Sequence, residues 1–481
     1  MSKLKWLQPP RWLVFVVIFI LFTLVAWRHL DPDFGWHLVS GQYFLAHGVP
    51  KTDIFSYTAT HFSWVNHEWL SDIILSIIYS LGGYGLAAVV YGVMWTLSFY
   101  LIGRRANGWV LLAAIAAVLP CAGVRGVTWS VLGLAALLTL LNIWRQKLSS
   151  RRRLLLGIAI VALIGLWANL HGGFIVGIAV VVFYAFLQKS WRLGLVAIGG
   201  ALLALINPYG IGIYVEVTRT LLDTSLKSNI AEWEPAWHLM NWSAAALLVL
   251  YGVAFLWTVS NTKHRSWRTF LTAENIFLLA AFSAYRNWPF FALAAIPMVD
   301  HNAKQIAKEL TNKPPHRINW IFAAAIVGMI AFSGWRVYQQ DFSGSWQREA
   351  NSPQAAVSYL QANPCPGNLF NDYDIGGYLI WKLPQAKVFI DGRMPSWEIA
   401  PGDRNYGQLP KYFDVYKKIY DNKDKQWRTA EFKAYNIRCA LIGKNSDLAK
   451  ALKHEKWHQV KSAGGWVLLI ENSNSQSGDT Q

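Results

Sequence analysis

Residues 12–33 read WLVFVVIFILFTLVAWRHLDPD, an apolar run that ends abruptly in charged and polar residues. The run has the composition of a membrane-spanning helix, and basic residues precede it. A signal peptide would be followed by a cleavage site of small residues, whereas Arg28, His29 and Asp31 follow here. We therefore predict an uncleaved first helix with its N-terminus in the cytoplasm.

The composition of the whole chain also favours a bilayer. Of its 481 residues, 54% are hydrophobic and 15% are charged, which is too apolar for an ordinary soluble protein of this length. The net charge of +17 does not indicate a nucleic-acid partner, because the Lys and Arg residues lie between apolar runs rather than in one cluster. The 26 Trp residues are typical of side chains that anchor helices at the membrane–water interface.

Further apolar segments predict about eleven membrane-spanning helices in total, although several are shorter than the ~20 residues that an untilted span needs. An apolar segment at residues 69–79 is short and begins inside an acidic loop, so we interpret it as an interfacial helix. With this count every basic loop lies on the cytoplasmic side, as the positive-inside rule requires. The predicted later spans lie near residues 84–103, 108–122, 129–144, 154–169, 173–188, 193–206, 242–259, 274–285, 287–299 and 318–337.

The composition changes after Tyr338, where Gln, Asp, Asn, Lys and Pro replace long apolar runs. We predict a transmembrane domain at residues 1–338, with a first external loop at 28–83, and an extracytoplasmic domain at 339–471. Short β-type runs at residues 368–371, 387–390, 439–442 and 466–470 alternate with helical stretches in the second domain, which predicts a small α/β fold. The Ser-, Asn- and Gln-rich tail at residues 472–481 is predicted to be disordered.

The three cysteines have no CxxC spacing, which argues against a structural zinc site. Cys365 and Cys439 both fall in the C-terminal domain. An extracytoplasmic location permits a disulfide between them, but the sequence leaves open whether they pair.

Ionisable residues concentrate in the first external loop. Asp31 and Asp33 lie at the outer end of the first helix, where two carboxylates can bind a divalent cation or supply a general base. The alternative is that they cap the next helix. His37 follows in the same stretch, and His67 and Glu68 precede the interfacial helix. The alternative for His67 and Glu68 is structural, because a carboxylate at this position stabilises the positive N-terminal end of the helix.

Other polar residues lie beside or within apolar segments. His171 occupies a short turn, where it is either simply solvated or able to orient a phosphate or take a proton. Arg125 lies in an external turn, and Arg286 and Asn287 lie between two apolar segments. Arginine near membrane depth is costly unless it pairs or faces a polar cavity, and it binds phosphate well. An ion pair of Arg286 with Glu232 or Glu234 is the alternative.

Several familiar catalytic motifs are missing from the sequence. It contains no Walker loop, no dinucleotide-binding glycine motif after a strand, and no GxSxG. ATP hydrolysis is therefore not supported. The stretches 371–377 and 389–393 in the C-terminal domain are glycine-containing turns, whose glycines we expect to serve positive backbone φ angles or ligand binding.

The order of these features resembles the C-type glycosyltransferase (GT-C) superfamily: one helix, an acidic external loop, an interfacial helix, a many-span core and a terminal external domain. The closest motif matches are Asp31-Pro-Asp33 to the acidic first-loop motif, and residues 68–105 to the interfacial helix and second span of the bacterial mannosyl- and aminoarabinosyl-transferase branch. The resemblance implies a polytopic α-helical GT-C-like fold and a lipid-linked sugar donor, usually a polyprenyl-phosphate sugar, used at the external membrane face.

By position, the resemblance implies that Asp31 or Asp33 is the general base, or a ligand for a divalent metal such as Mg²⁺ or Mn²⁺. The transferase branch usually has Asp-Glu where this chain has Asp-x-Asp, so the choice of acid and the need for a metal stay open. The donor phosphate would be held by Arg125, His171 and Arg286. The expected substrate-binding residues are His37, His67, Glu68, Arg125, His171, Arg286 and Asn287.

The sequence also resembles a broad group of bacterial membrane proteins that share Trp-His-Leu, His-Glu-Trp-Leu, Asn-Pro-Tyr-Gly and Phe-Ile-Asp-Gly-Arg, which implies no activity. Our leading hypothesis is a multi-pass glycosyltransferase of the bacterial inner membrane and cell envelope, with membrane lipid, a lipid-linked sugar donor and an extracytoplasmic glycan, lipid or protein acceptor as partners. The alternative is a non-enzymatic transporter, flippase or assembly scaffold. Because the ionisable residues collect at the external face and leave most spans apolar, surface chemistry is favoured over transport.

Overall fold

The computed structural model describes residues 10–236, 242–262, 267–310, 352–455 and 457–472, together with residues 328, 331, 335, 346 and 347. The chain divides into two compact units. The helical unit comprises Met1–Arg28, Leu81–Val217 and Thr224–Ser343, and the loop–sheet unit comprises His29–Ser80, Thr218–Asp223 and Gly344–Gln481. Most of the predicted first external loop therefore lies in the same compact unit as the C-terminal part of the chain.

Apolar helices build the helical unit. Among the described residues, five helices are long and apolar enough to cross a membrane, and they indicate a multi-pass membrane protein. These are Arg11–Arg28, Trp69–Gly103, Val127–Trp144, Ser150–Leu170 and Ser243–Asn261. Shorter apolar helices span Gly108–Cys121, Phe174–Gln188, Trp191–Leu203 and Ala273–Ser283. Other helices of this part of the chain are Gly212–Leu222, Leu226–Asn229, Trp267–Phe270 and Trp288–Leu310.

The predicted count of eleven spans is not confirmed, because several predicted spans correspond to helices shorter than a bilayer crossing. The last predicted span, 318–337, lies outside the described residues apart from three isolated positions. The predicted tail at 472–481 likewise lies outside them, except for residue 472.

Large aromatic side chains fill the core of the helical unit. Trp95, Trp167 and Trp288 are fully buried, so these three indoles pack inside the protein rather than at an interface. The indole N–H of Trp288 donates to the carbonyl of Ala117 at 3.0 Å, which satisfies the polar group that burial removes from water.

The Trp69–Gly103 helix is broken at Gly82 and Gly83. Gly83 has φ +62°, a left-handed conformation that glycine adopts without the steric cost of a Cβ atom. The residues before the break, up to Ser80, belong to the loop–sheet unit, and those from Leu81 belong to the helical unit. The predicted separation of the segment at 69–79 from the span at 84–103 thus coincides with a break in the helix.

The loop–sheet unit contains a two-stranded ribbon and a four-stranded sheet. In the ribbon, β1 (His29–Leu30) pairs antiparallel with β2 (Trp346–Gln347). The larger sheet has the order β3-β4-β6-β5, in which β3 and β4 are parallel and the other neighbours are antiparallel. Its strands are β3 (Asn368–Asn371), β4 (Ile437–Gly443), β5 (His458–Ala463) and β6 (Trp466–Ile470).

Helices pack against this sheet, and the predicted alternation of strands and helices in the C-terminal part is confirmed. The sequence predicted β3, β4 and β6 but missed β5, whose residues are mostly exposed. The apolar run predicted as a strand at 387–390 makes one isolated bridge, between Val388 and Ser56. The helices of this unit are Phe34–His47, Gln354–Ala362, Gly376–Lys382, Tyr412–Tyr420, Lys425–Ala434 and Asp447–His454.

Cys365 and Cys439 form a disulfide, with their Cα atoms 6.1 Å apart. The bond ties the segment before β3 to the buried strand β4. The pairing that the sequence permitted is therefore present in the folded protein.

We expect Cys365→Ser to lower the free energy of unfolding of the loop–sheet unit by about 4 kcal/mol, because a cross-link between residues 74 positions apart restricts the unfolded chain. Thermal unfolding in detergent, with and without reductant, checks this. Reductant should lower the melting temperature of the wild type and leave the variant unchanged. Equal sensitivity of both proteins would contradict the prediction.

Candidate functional site

Asp31 and Asp33 form a tight turn in front of the Phe34–His47 helix. The Asp31 carboxylate is buried and accepts a hydrogen bond from the backbone N–H of Asp33 at 2.8 Å. The Asp33 carboxylate is half-buried and accepts one from the Trp36 indole N–H at 2.9 Å, and it makes no side-chain capping bond to the helix. Asp31 therefore shapes the turn, while Asp33 presents a carboxylate held from the side by Trp36.

The Asp33 carboxylate rests against the Asp391-Gly392-Arg393 turn. A Cβ atom built on Gly392 would stand 1.8 Å from Asp33 Oδ1, and one on Gly377 would stand 2.2 Å from the carbonyl oxygen of Pro32. These glycines serve close approach of two chain segments rather than a positive φ angle, so the expectation from the sequence is corrected on this point. The Asp31–Asp33 turn is thereby fixed against two C-terminal turns.

Arg393 is buried and anchors this arrangement. Its Nε and Nη2 donate to the two oxygens of Asp391 at 2.8 and 2.7 Å, and Nη1 lies 2.8 Å from Oδ1 of Asp53. Burial alone would lower the pKa of Arg393, but the two carboxylates outweigh it and raise the pKa above its ordinary value. The guanidinium carbon also lies 4.5 Å from the ring centre of Trp64 and 5.1 Å from that of Trp397. This ion-pair cluster joins residues more than 300 positions apart.

His37 lies one residue beyond Trp36 and bridges two carboxylates. Its Nδ1 is 2.6 Å from Oδ1 of Asp72, and its Nε2 is 3.2 Å from Oε2 of Glu68. All three side chains are buried. Burial alone would lower the pKa of His37, but the neighbouring carboxylates of Asp72 and Glu68 outweigh it and raise the pKa to about 9.

Asn66 organises the two acids around His37. Its side-chain N–H donates to Oδ2 of Asp72 at 2.7 Å, and its side-chain oxygen accepts from the backbone N–H of Glu68 at 2.8 Å. His67 approaches from the other side of Glu68, with its Nε2 3.8 Å from Oε1. A chain of polar contacts thus runs from Asn66 through Asp72 and His37 to Glu68.

Three of these side chains are grouped closely enough to hold a metal ion. In the part of the chain that the structure describes, His37, Glu68 and Asp72 bring one donor atom each to within 4.8 Å of one another. Nitrogen and oxygen donors in such a group suit a divalent cation. Asp31 and Asp33 are not members of this group, and their role as metal ligands stays a prediction.

In the helical unit, the predicted arginines meet one short segment, the 3-10 turn Ala231–Trp233. Arg125 forms an ion pair with Glu232, and the guanidinium carbon of Arg286 lies 4.5 Å from the ring centre of Trp233. The side-chain N–H of Asn287 donates to the carbonyl of Ala280 at 3.0 Å. Glu232, considered above as a partner of Arg286, thus contacts Arg125.

His171 is held in one tautomer. The Trp167 indole N–H donates to Oγ of Ser130 at 2.9 Å, and Ser130 Oγ lies 2.6 Å from Nδ1 of His171. The backbone N–H of Gly173 also donates to Nδ1, at 3.0 Å. Since Nδ1 accepts, the ring proton is assigned to Nε2, which leaves His171 as a neutral hydrogen-bond donor.

We expect Ser130→Ala to lower the free energy of unfolding by about 1–3 kcal/mol, because the buried Trp167 N–H and His171 Nδ1 both lose a hydrogen-bond partner. Thermal unfolding in detergent measures the effect. Ser228→Ala is the control, since this exposed hydroxyl bonds only locally to the Ser225 carbonyl, and it should cost less than about 0.5 kcal/mol. Equal losses in both variants would contradict the assignment.

Comparison of the whole structure with solved structures finds archaeal oligosaccharyltransferases. AglB from Archaeoglobus fulgidus, in complex with an inhibitory peptide and a dolichol-phosphate, is 13% identical, with a TM-score of 0.60 over 96% of this chain and 74% of that one. The same organism's oligosaccharyltransferase in its apo form is 12% identical, with a TM-score of 0.57 over 97% and 75% of the two chains. The chain shares the fold of these oligosaccharyltransferases. The predicted resemblance to GT-C enzymes is therefore confirmed at the level of fold.

A third structure, the Archaeoglobus fulgidus oligosaccharyltransferase in complex with Zn and sulfate, is 12% identical, with a TM-score of 0.56 over 89% of this chain and 68% of that one. No protein-family model matches the sequence. No curated protein matches it either.

Some residues of this site in the loop–sheet unit were not predictable from sequence patterns alone. Asp72 was not predicted as a site residue, although an aspartate in an otherwise apolar segment, four positions after Glu68, falls on the same helical face and could have signalled it. For Arg393, the sequence indicated only a position in the glycine-containing turn at 389–393. Its partner Asp53 carries no local signal, because the pairing depends on the tertiary fold.

Proposed function

We propose that the protein transfers a sugar from a polyprenyl-phosphate-linked donor to an extracytoplasmic glycan, lipid or protein acceptor. The observation that carries the proposal is the fold likeness, over 96% of the chain, to an oligosaccharyltransferase in complex with a dolichol-phosphate. Since one fold can host several activities, the proposal also needs groups that could perform the chemistry. The Asp31–Asp33 turn supplies such a group, the half-buried carboxylate of Asp33, which could act as a general base.

In this reaction an acceptor oxygen or nitrogen attacks the anomeric carbon of the donor sugar. The bond from that carbon to the phosphate oxygen breaks, polyprenyl phosphate leaves, and the acceptor's proton passes to a carboxylate. Attack opposite the leaving group inverts the anomeric configuration. A positioned general base contributes roughly 10²–10⁴-fold in rate.

Asp33 is the general base in this proposal. Its carboxylate is half-buried, and the Trp36 indole and the Gly392 turn hold it in place. Asp31 is a positioning residue, because its buried carboxylate holds the backbone N–H of Asp33. The two acids of the motif thus have different tasks.

The donor phosphate would be bound by cations and donors of the helical unit. Arg125 and Arg286 carry guanidinium groups suited to phosphate oxygens, and His171 offers the N–H of its Nε2. The apolar surfaces of the spans would accommodate the lipid chain. We place the N-terminus in the cytoplasm and the loop–sheet unit outside a bacterial inner membrane, as the distribution of basic loops favours.

A divalent cation fits this proposal. The oligosaccharyltransferase solved with Zn and sulfate is a precedent for metal binding in this fold, and His37, Glu68 and Asp72 are the described side chains grouped to hold a cation. A bound cation would stabilise negative charge that develops on the leaving phosphate.

The purified protein in proteoliposomes tests the proposal. Labelled polyprenyl-phosphate sugars are supplied together with membrane extract as acceptor, and the expected result is a labelled product that forms with the release of polyprenyl phosphate. Asp447→Asn, at an exposed acid, serves as a control and should keep full activity. Movement of the donor to the opposite leaflet without any product would instead identify a flippase and overturn the transferase proposal.

A further inference from the structure

We propose that one end of the helical unit binds the headgroup of an anionic phospholipid. Basic residues at the ends of four packed apolar helices form this surface, which we call the basic end: Arg145, Lys147, Arg151, Arg152, Arg153, Lys189 and Arg192. Such a lipid belongs to the surrounding membrane and is not the sugar donor, so its binding does not depend on the proposed glycosyl transfer.

Helix packing brings these residues together. The four helices that carry them pack against one another: Val127–Trp144, Ser150–Leu170, Phe174–Gln188 and Trp191–Leu203. The guanidinium carbon of Arg153, at the start of the second helix, lies 5.4 Å from the ring centre of Trp144, at the end of the first. A Cβ atom on Gly157 would lie 3.2 Å from the Val196 side chain, so the second and fourth helices begin side by side.

The positive charge of the basic end is largely unbalanced by the chain itself. The sequence contains no Asp or Glu between Asp72 and Glu216, a stretch that includes all four helices. From a more distant segment, Glu274 interacts electrostatically with Arg145. The other six cations outnumber this one acid, and all of the seven except Arg153 are classed as exposed. The surface is therefore suited to an anion supplied from outside the protein.

The placement of the arginines within their helices is unfavourable without such an anion. The N-terminus of a helix is the positive end of its dipole, where acidic side chains or bound anions are stabilising and cations are not. Ser150–Leu170 nevertheless begins with three successive arginines and has no acid in its first turn. Trp191–Leu203 has Arg192 in its first turn and likewise no acid there. A phosphate at this surface would offset the repulsion at both helix starts.

Exposed apolar side chains next to the cations select a lipid over a soluble anion. Leu154, Leu155 and Ile158 follow the three arginines and are 65%, 57% and 56% exposed. Trp191 precedes Arg192 and is 70% exposed, as expected of an indole at the membrane–water interface. A soluble polyanion would gain nothing from these apolar groups. A phospholipid matches both, because its phosphate can contact the cations while its acyl chains cover the apolar side chains.

Lipid binding by the delipidated full-length protein in detergent tests the proposal. Phosphatidylglycerol is titrated in, and the bound lipid is counted by native mass spectrometry. Because each basic residue near a membrane surface favours anionic lipid by about fivefold, we expect phosphatidylglycerol to bind at least about tenfold more tightly than zwitterionic phosphatidylcholine. Glycerol 3-phosphate, which has the phosphate but no acyl chains, should bind at least about tenfold more weakly than phosphatidylglycerol.

A double variant identifies the surface. Replacing both Arg151 and Arg152 with Gln (Arg151→Gln with Arg152→Gln) should weaken phosphatidylglycerol binding by roughly 10–30-fold, because two of the contributing charges are lost. Both side chains are exposed, so the fold should persist, and unchanged thermal unfolding would show this. Lys189→Gln with Arg192→Gln is a second double variant at the same end, and it should weaken binding by a similar factor.

The matched control removes two adjacent exposed arginines elsewhere, by Arg104→Gln with Arg105→Gln. These residues also follow an apolar helix, but they lie in a connection whose Asn107 N–H donates to the carboxylate of Asp300 at 2.7 Å. Lys304 contacts the same carboxylate at 2.6 Å. Since an acid is present there, we expect this control to weaken phosphatidylglycerol binding by less than about twofold.

Three outcomes would overturn the proposal. Equal binding of phosphatidylglycerol and phosphatidylcholine would show that the headgroup charge is not recognised. Equal losses in the Arg151–Arg152 and Arg104–Arg105 double variants would indicate general attraction to a basic protein rather than this surface. Glycerol 3-phosphate binding as tightly as phosphatidylglycerol would identify a site for a soluble anion instead. None of these outcomes bears on sugar transfer, which is measured separately.

Discussion

Asp33→Asn is expected to reduce sugar transfer by roughly 10²–10⁴-fold, the contribution of a general base. The substitution keeps the shape of the side chain and an oxygen that can accept from the Trp36 indole, so the fold should persist. Initial rates of transfer from a labelled polyprenyl-phosphate sugar measure the effect, and unchanged thermal unfolding shows that structure is retained.

Asp31→Asn is the matched comparison for the general base. Its amide oxygen can still accept from the backbone N–H of Asp33, so we expect a rate loss at least tenfold smaller than that of Asp33→Asn. Gly392→Ala should also impair transfer, since the new Cβ atom must displace the Asp33 carboxylate. A larger loss in Asp31→Asn than in Asp33→Asn would reverse the roles that we assign to the two acids.

Arg393→Met should lower the free energy of unfolding by about 3–5 kcal/mol. The substitution leaves the buried carboxylates of Asp391 and Asp53 without their cation, and such uncompensated charges are costly. The loss is measured by unfolding the protein with denaturant in detergent, with the resistance of the loop–sheet unit to proteolysis as the readout.

Lys450→Met is the control for this change. Lys450 and Asp447 also form an ion pair, but both side chains are largely exposed, so the cost should stay below about 1 kcal/mol. If the two substitutions cost the same, the Arg393 cluster cannot be the anchor that we describe.

Much of the local structure was predictable, because it depends on periodicity and composition. The apolar runs marked the membrane helices, and the β-type runs at Asn368–Asn371 and Trp466–Ile470 became strands of the sheet. Strand β5 was missed because its exposed, polar residues show no alternating apolar pattern. The run at 387–390 was wrongly predicted as a strand. It makes one isolated bridge, because an apolar segment can be buried without pairing along its length with another strand.

The site was only partly predictable, because its chemistry comes from contacts between distant segments. The sequence singled out Asp33 and His37 as polar residues next to an apolar helix. It could not show that Gly392 lies against Asp33, or that Arg393 pairs with Asp53 across more than 300 positions. The contact of Asp72 with His37 also depends on the approach of a second helix, Phe34–His47, to the segment that carries Asp72.

The most direct measurement of the central claim uses a donor labelled in both its sugar and its phosphate, given to the purified protein with a membrane-extract acceptor. We predict that one labelled polyprenyl phosphate is released for each labelled sugar that reaches the acceptor, and that Asp33→Asn slows the transfer and the release by the same factor. If a broad panel of such donors yields no transferred sugar, or if Asp33→Asn transfers it at the wild-type rate, the proposed transferase mechanism is wrong.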